Sequence, residues 1–100
     1  MEHYKIKIYK QAKQDLEEVV DYLNTFSKDT AIKYYDELIE KITSLSEMPH
    51  RCPYVRDTIL RLKGYRYLNV KNYVVFYVVQ NDTVQIRRIL YNKRQYQSIL

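Results

Sequence analysis

The chain has 100 residues, enough for one domain with a single hydrophobic core. A hydrophobic content of 46% and an aromatic content of 14% exclude a disordered chain, and there is no apolar run of about 18 residues that could span a membrane. The single glycine and single cysteine exclude a glycine-rich phosphate loop and an internal disulfide, which fits a reducing, cytoplasmic location. With two separated histidines and one cysteine, no metal site and no cofactor are expected.

The net charge of +5 is divided unevenly between the two halves of the chain. Residues 1–50 hold seven Lys/Arg against ten Asp/Glu, whereas residues 51–100 hold ten Lys/Arg against two Asp/Glu. Such asymmetry indicates an anionic partner, either nucleic acid or an acidic protein segment. A basic surface that serves only solubility is the alternative.

The first half predicts one strand and two helices. Residues 3–9 alternate between apolar and polar side chains, as in a half-buried strand. Apolar residues then recur at helical spacing from Gln11 to about Phe26, and again in a second helix that ends before Pro49. Ser27 or Asp29 can cap that second helix. The short connection between the helices favours an antiparallel hairpin.

The second half predicts a loop and three strands. Residues 48–58 contain both prolines and form a loop, and residues 59–70 are extended with a break or bulge near Gly64. Residues 73–80 are typical of a strand buried on both faces. Tight turns at 71–72 and 81–82 lead into a last strand at 83–90 and a tail. The fold class is therefore α+β, of order β-α-α-β-β-β, with an antiparallel sheet and the helical hairpin on one face.

Two segments combine cations with tyrosines, a mixture that suits phosphates and unpaired bases. Residues 61–66 and 87–94 could approach each other on one sheet face and form a cationic site. The candidate anion-binding or target-binding residues are Arg61, Lys63, Tyr65, Arg87, Arg88, Tyr91 and Lys93. Tyr65, Tyr91 and Tyr96 are expected at the surface, and Tyr73 and Tyr77 in the core.

Acid–base chemistry has few candidates. No histidine falls in the basic strands, and the only acids after residue 50 are Asp57 and Asp82, so carboxylate-based and metal-based hydrolysis are poorly supported. Cys52 is interpreted as a small buried hydrophobe. The acidic face around Asp15 is interpreted as solvated helix surface. A hydrophobic groove beside it could bind a partner's helix.

The chain resembles the RelE/ParE superfamily of type II toxins over nearly its whole length. The features are an Ala-x-x-Asp-Leu start to the first helix, a Pro-bounded loop after the second, a Tyr-x-x-Phe-Tyr strand, and a basic ending. They are carried by Ala12, Asp15, Leu16, Tyr22, Leu23, Ala31, Leu38, Ile42, Leu45, residues 49–53, Tyr73, Phe76, Tyr77, Val79, Val84, Ile86 and residues 88–94.

The resemblance implies one of two activities. RelE-like members cleave mRNA on the ribosome, and ParE-like members inhibit DNA gyrase. In both, a cognate antitoxin wraps the toxin, and operator DNA is bound only through the antitoxin. The basic ending is similar to that of ParE-like members and favours the ParE-like activity. Separately, the arginine that RelE-like nucleases carry at the start of the third strand is missing from residues 72–75, which disfavours mRNA cleavage.

A RelE-like nuclease remains the first alternative. It would use Arg66 and Lys71 to grip phosphates, Arg94 to stabilise the transition state and Tyr96 as a proton carrier. A nucleic-acid-binding module without toxicity is the second alternative, although both helices are acidic and neither resembles a groove-reading helix. No membrane partner is expected. The antitoxin's binding segment should be acidic, amphipathic and disordered when free.

Overall fold

The computed structural model describes residues 3–92, 96 and 99–100. Its elements confirm an α+β fold with a helical hairpin on one face of a four-stranded sheet. The elements are β1 (Lys5–Ile8), α1 (Lys10–Asn24), α2 (Lys28–Ser44), a 3₁₀ turn (Pro49–Arg51), α3 (Thr58–Leu62), β2 (Tyr65–Val70), β3 (Tyr73–Gln80) and β4 (Thr83–Tyr91). In the part of the chain that these residues cover, no helix is long and apolar enough to cross a membrane.

The two long helices follow from their apolar periodicity and caps. On α1, Ala12, Leu16 and Val19 are buried on the side that faces the sheet. On α2, the Ser27 hydroxyl accepts a hydrogen bond from the Thr30 backbone N–H at 3.3 Å, so Ser27 is the N-cap. The hairpin therefore covers the sheet with a continuous apolar stripe.

The sheet has the order β1-β4-β3-β2 and is mixed rather than antiparallel. β2, β3 and β4 form the expected antiparallel meander, but β1 pairs with β4 in parallel. The prediction of a fully antiparallel sheet was wrong in this one pairing. Because the whole helical hairpin separates β1 from the meander, the connection is long enough for a parallel neighbour on the free edge of β4.

Residues 59–70 are not extended throughout, as the sequence had indicated. The Asp57 carboxylate accepts a hydrogen bond from the Leu60 N–H at 3.0 Å and caps the short helix α3. Gly64 has φ +87° and ends this turn before β2 begins. The predicted break at Gly64 is thus the end of a helix, not a bulge in a strand.

Gly64→Ala is expected to lower the free energy of unfolding by about 1–2 kcal/mol, because a Cβ is disfavoured in the left-handed region. Steric clash adds little, since the nearest side-chain atom, Val78 Cγ1, lies 3.6 Å from the point where that Cβ would stand. Urea unfolding followed by circular dichroism measures the change. A neutral or stabilising result would contradict this expectation, and would show that residue 64 can adopt a right-handed conformation at the end of α3.

β3 is buried on both faces, as predicted. Tyr73, Val75 and Tyr77 face the helices, whereas Val74, Phe76 and Val78 join a second cluster on the opposite face. That second cluster is completed by Val55, Leu60, Tyr65 and Leu90, with Tyr67, Tyr96, Ile99 and Leu100 packed against it. Both faces of the sheet therefore carry apolar core.

Candidate functional site

A β-bulge places the two adjacent arginines of β4 in different surroundings. Phe76 pairs with Arg88 and Tyr77 pairs with Ile86, so Arg87 is the extra residue between them. Bulges commonly redirect a side chain. The consequence is one arginine held at the sheet surface and one held against a helix.

Arg87 is held by three hydrogen bonds and two aromatic rings. Its Nε and Nη2 donate to Gln85 Oε1 at 3.1 and 2.8 Å, and its Nη1 donates to the Tyr65 hydroxyl at 3.3 Å. The guanidinium carbon lies 4.7 Å from the Tyr9 ring centroid and 5.7 Å from that of Tyr65. The Lys7 ammonium lies 5.3 Å from the same Tyr9 centroid.

Arg88 forms a buried, two-pronged ion pair with Asp15 of α1. Its Nε and Nη2 donate to the two carboxylate oxygens at 2.7 and 2.9 Å, and the Ile89 N–H donates to the same carboxylate at 2.9 Å. The carboxylate raises the pKa of Arg88 by hydrogen bonding. Since Asp15 is only 4% exposed, this guanidinium is committed to an internal anion. The structure therefore places Arg88, which the sequence had suggested for an external anion, in an ion pair with Asp15.

Asp15 itself is the residue that the sequence misplaced. It was assigned to a solvated acidic face, but it lies on the apolar side of α1, three residues after Ala12 and one before Leu16. That spacing was the available signal, because a carboxylate within a buried helical stripe needs a cation opposite it. Arg88, in phase with Ile86 along β4, was the candidate partner.

Arg66 supports the loop that contains both prolines. Its Nη1 donates to the carbonyl oxygens of His50 and Cys52 at 3.1 and 2.6 Å, and its guanidinium stacks 3.9 Å from the Tyr54 ring centroid. The buried Tyr77 hydroxyl donates to the Pro49 carbonyl at 2.7 Å from the other side. Burial raises the pKa of Tyr77, so the phenol stays a neutral donor.

Lys71 lies at the far end of β2 from Arg66. Its ammonium is 4.0 Å from a Glu37 carboxylate oxygen and 4.5 Å from the Tyr34 ring centroid, so it faces α2. Lys71 follows Arg66 by five steps along the chain, which is about 16 Å at the usual rise of a strand. Tyr96 packs on Phe76, on the sheet face opposite the helices, with ring centroids 4.8 Å apart.

The described members of the nuclease set are therefore not brought together. Arg66, Lys71 and Tyr96 occupy three separate places, and Arg94 and Lys93 lie outside the described residues. Of the other predicted residues, Arg61 and Lys63 are exposed at the end of α3, and Tyr91 is 43% exposed.

Tyr65 is buried beneath Arg87 rather than exposed, because it belongs to the second core cluster. Within the described parts of residues 61–66 and 87–94, Tyr65 and Arg87 are in contact, as the sequence had suggested for these two segments. Tyr73 and Tyr77 are in the core as expected. Cys52 is buried too.

Two grooves flank α1 where its solvent face had suggested a partner site. One, of about 340 Å³, lies between α1 and the ends of β3 and β4. Its lining includes Glu18, Val19, Tyr22, Tyr73 and Tyr91. The other, of about 430 Å³, lies on the outer surface of the helical hairpin. No group of three or more His, Cys, Asp or Glu side chains among the described residues could hold a metal ion.

Residues 6–96 match the family model described as the ParE toxin of the type II toxin–antitoxin system parDE. The chain therefore belongs to the ParE toxin family, within the RelE/ParE superfamily. No curated protein matches the sequence.

The fold is shared with solved structures, three of which follow. A toxin–antitoxin system described as chromosomal ParDE from P. aeruginosa superposes with a TM-score of 0.74 at 20% identity, covering 89% of this chain and 96% of that one. The RelBE2 toxin–antitoxin complex from Mycobacterium tuberculosis superposes with a TM-score of 0.67 at 19% identity, covering 91% of this chain and 93% of that one. A copper-bound mutant toxin from Helicobacter pylori superposes with a TM-score of 0.55 at 16% identity, covering 97% of this chain and 98% of that one.

Proposed function

We propose that this toxin acts by binding and inhibiting DNA gyrase, without cleaving RNA, and that a cognate antitoxin neutralises it. The observation that carries the proposal is the match of residues 6–96 to the ParE family model. Gyrase inhibition is the activity that ParE-like membership implies.

The scatter of the basic side chains supports a binding mode over a nuclease. Phosphodiester cleavage needs several groups within a few ångströms of one phosphate. Here Arg66 holds a loop, Lys71 faces α2, and Arg88 is neutralised by Asp15. A binding surface requires only exposed cations such as Arg61 and Lys63.

The antitoxin partner is supported by the grooves beside α1. The groove between α1 and β4 is lined by exposed Tyr22 and Tyr91 and by Val19. Such an apolar lining can bind the apolar side of an amphipathic helix from a partner protein. Beyond it, the basic second half of the chain offers charges to an acidic segment. An antitoxin segment that is acidic and folds on binding would use both.

Two assays on the purified toxin test this function together. In a gyrase supercoiling assay, the toxin is expected to block supercoiling, and in a coupled translation assay mRNA should stay intact. Replacing Arg61 and Lys63 together with alanine should raise the inhibitory concentration roughly tenfold, because each exposed cation contributes on the order of 0.7 kcal/mol.

The matched control is Lys33→Ala, which removes one exposed cation from the acidic helical hairpin. It should leave gyrase inhibition unchanged. Cleavage of mRNA only when ribosomes are present, with supercoiling unaffected, would overturn the proposal in favour of a RelE-like nuclease. Neither effect, together with binding to free nucleic acid, would favour a binding module without toxicity.

A further inference from the structure

A pair of cations without a carboxylate partner lies at the β1 end of the sheet. Ile6 and Ile8 pack toward the helices, so Lys7, which alternates with them and pairs with Gln85, points to the opposite face. Lys7 and Arg87 both approach the Tyr9 ring, at 5.3 and 4.7 Å. We call Lys7, Tyr9, Gln85 and Arg87 the β1 patch.

The charge of this patch is not neutralised by its surroundings. Within the described residues, no ion pair joins Lys7 or Arg87 to a carboxylate. Lys5, two residues earlier on the same strand, differs, because its ammonium lies 3.6 Å from an Asp82 carboxylate oxygen. The patch therefore presents two positive charges close together on one ring.

Arg87 is also fixed in orientation before any ligand arrives. Gln85 Oε1 accepts from both Nε and Nη2, and the Tyr65 hydroxyl accepts from Nη1. A guanidinium has five N–H donors, so two remain on the Nη atoms for a ligand. Ordering this long side chain in advance removes part of the entropy loss on binding.

We propose that the β1 patch binds the phosphate backbone of nucleic acid. Duplex DNA carries one negative charge per about 1.7 Å of its axis, so two neighbouring cations meet phosphates at the same time. This binding is separate from gyrase inhibition and needs no gyrase to be measured.

The density of charge favours the phosphates of nucleic acid over the carboxylates of an acidic peptide, because duplex DNA carries one negative charge per about 1.7 Å of its axis. Carboxylates and phosphates can both pair with arginine through two parallel hydrogen bonds to one edge of the guanidinium, but Arg87 does not offer its Nε–Nη2 edge for such a pair. The Nε–Nη2 edge is taken by Gln85 Oε1, and Nη1 already donates to Tyr65. Phosphate oxygens accept single hydrogen bonds from several directions, and backbone binding by Lys and Arg needs no paired geometry.

Fluorescence anisotropy of the full chain with labelled single-stranded and duplex oligonucleotides tests the proposal, across a range of salt concentrations. Lys7→Ala and Arg87→Gln should each weaken binding, because each removes one positive charge, and the double variant should raise Kd at least roughly tenfold. The slope of log K against log salt should become shallower by about 0.9 for each duplex phosphate that is no longer bound, and by about 0.7 on single strands. Thermal unfolding checks that each variant is folded.

Two matched controls separate the patch from general charge. Lys5→Ala removes a cation that Asp82 already partners, and Lys33→Ala removes one from the helical hairpin. Both should bind nearly as tightly as the unmodified toxin. Equal losses in these controls, or no loss in the double variant, would overturn the proposal. So would a polyglutamate peptide that binds as tightly and with the same dependence on Lys7 and Arg87, since the patch would then be a protein-binding surface.

Discussion

Asp15→Ala is expected to lower the free energy of unfolding by about 3–5 kcal/mol, because it leaves the charge of Arg88 without its partner in a mostly buried place. The Arg88 side chain is 16% exposed, which favours the lower end of that range. The same substitution removes the acceptor of the buried Ile89 N–H. Urea denaturation followed by circular dichroism measures the loss.

A double replacement shows whether the loss comes from the orphaned charge. Asp15→Leu combined with Arg88→Met removes both charges and keeps apolar volume, so it should be less destabilising than Asp15→Ala alone. A residual loss of about 1–3 kcal/mol should remain from the unpaired Ile89 N–H. The double-mutant cycle would give no coupling energy if the two side chains did not stabilise each other.

Glu17→Ala is the control, two residues away on the exposed side of α1. It should change the free energy of unfolding by less than about 0.5 kcal/mol. A loss below about 1 kcal/mol for Asp15→Ala would contradict the idea that this ion pair fastens α1 to β4. Asp15 also lines the groove between these two elements.

Local patterns in the sequence were sufficient for most of the fold. The 3.6-residue period of α1 and α2, the doubly buried character of residues 73–80 and the turn at 81–82 each depend on neighbours in sequence. The direction of β1, in contrast, depends on its pairing with β4, which is distant in sequence. Periodicity reports which face of a strand is buried, but not whether its neighbour runs parallel or antiparallel.

The candidate site was harder to predict because charge alone does not show which cations are already paired. Arg87 and Arg88 are adjacent and chemically identical, yet one is stacked on Tyr9 and the other is bound to Asp15, 73 residues away in sequence. The bulge that separates them leaves no clear signature in the sequence of β4. Tyr65 was placed at the surface from its basic neighbours, although the sheet buries it.

Tyr77→Ala is expected to lower the free energy of unfolding by about 3–5 kcal/mol, the usual loss when a large buried aromatic side chain is removed. Tyr77 is fully buried at the centre of the core beneath the helices. Tyr77→Phe keeps the ring and removes only the hydroxyl that donates to the Pro49 carbonyl. Its expected loss is about 1–3 kcal/mol, since that carbonyl is left without its donor.

The pH dependence of this second variant distinguishes the hydroxyl from the ring. Burial raises the pKa of Tyr77 above its ordinary value of 10.0, so the unfolded chain ionises first as pH increases. The hydroxyl's contribution is therefore full below about pH 10 and declines above it, by about 1.4 kcal/mol per pH unit. The stability advantage of the unmodified toxin over Tyr77→Phe should narrow between about pH 9 and about pH 11.

Tyr91→Phe is the matched control, because Tyr91 is 43% exposed on β4. It should alter the free energy of unfolding by less than about 0.5 kcal/mol. If the difference between the unmodified toxin and Tyr77→Phe stayed constant across this pH range, the phenol would ionise equally in both states. Such a result would contradict the burial of the Tyr77 phenol in the folded protein.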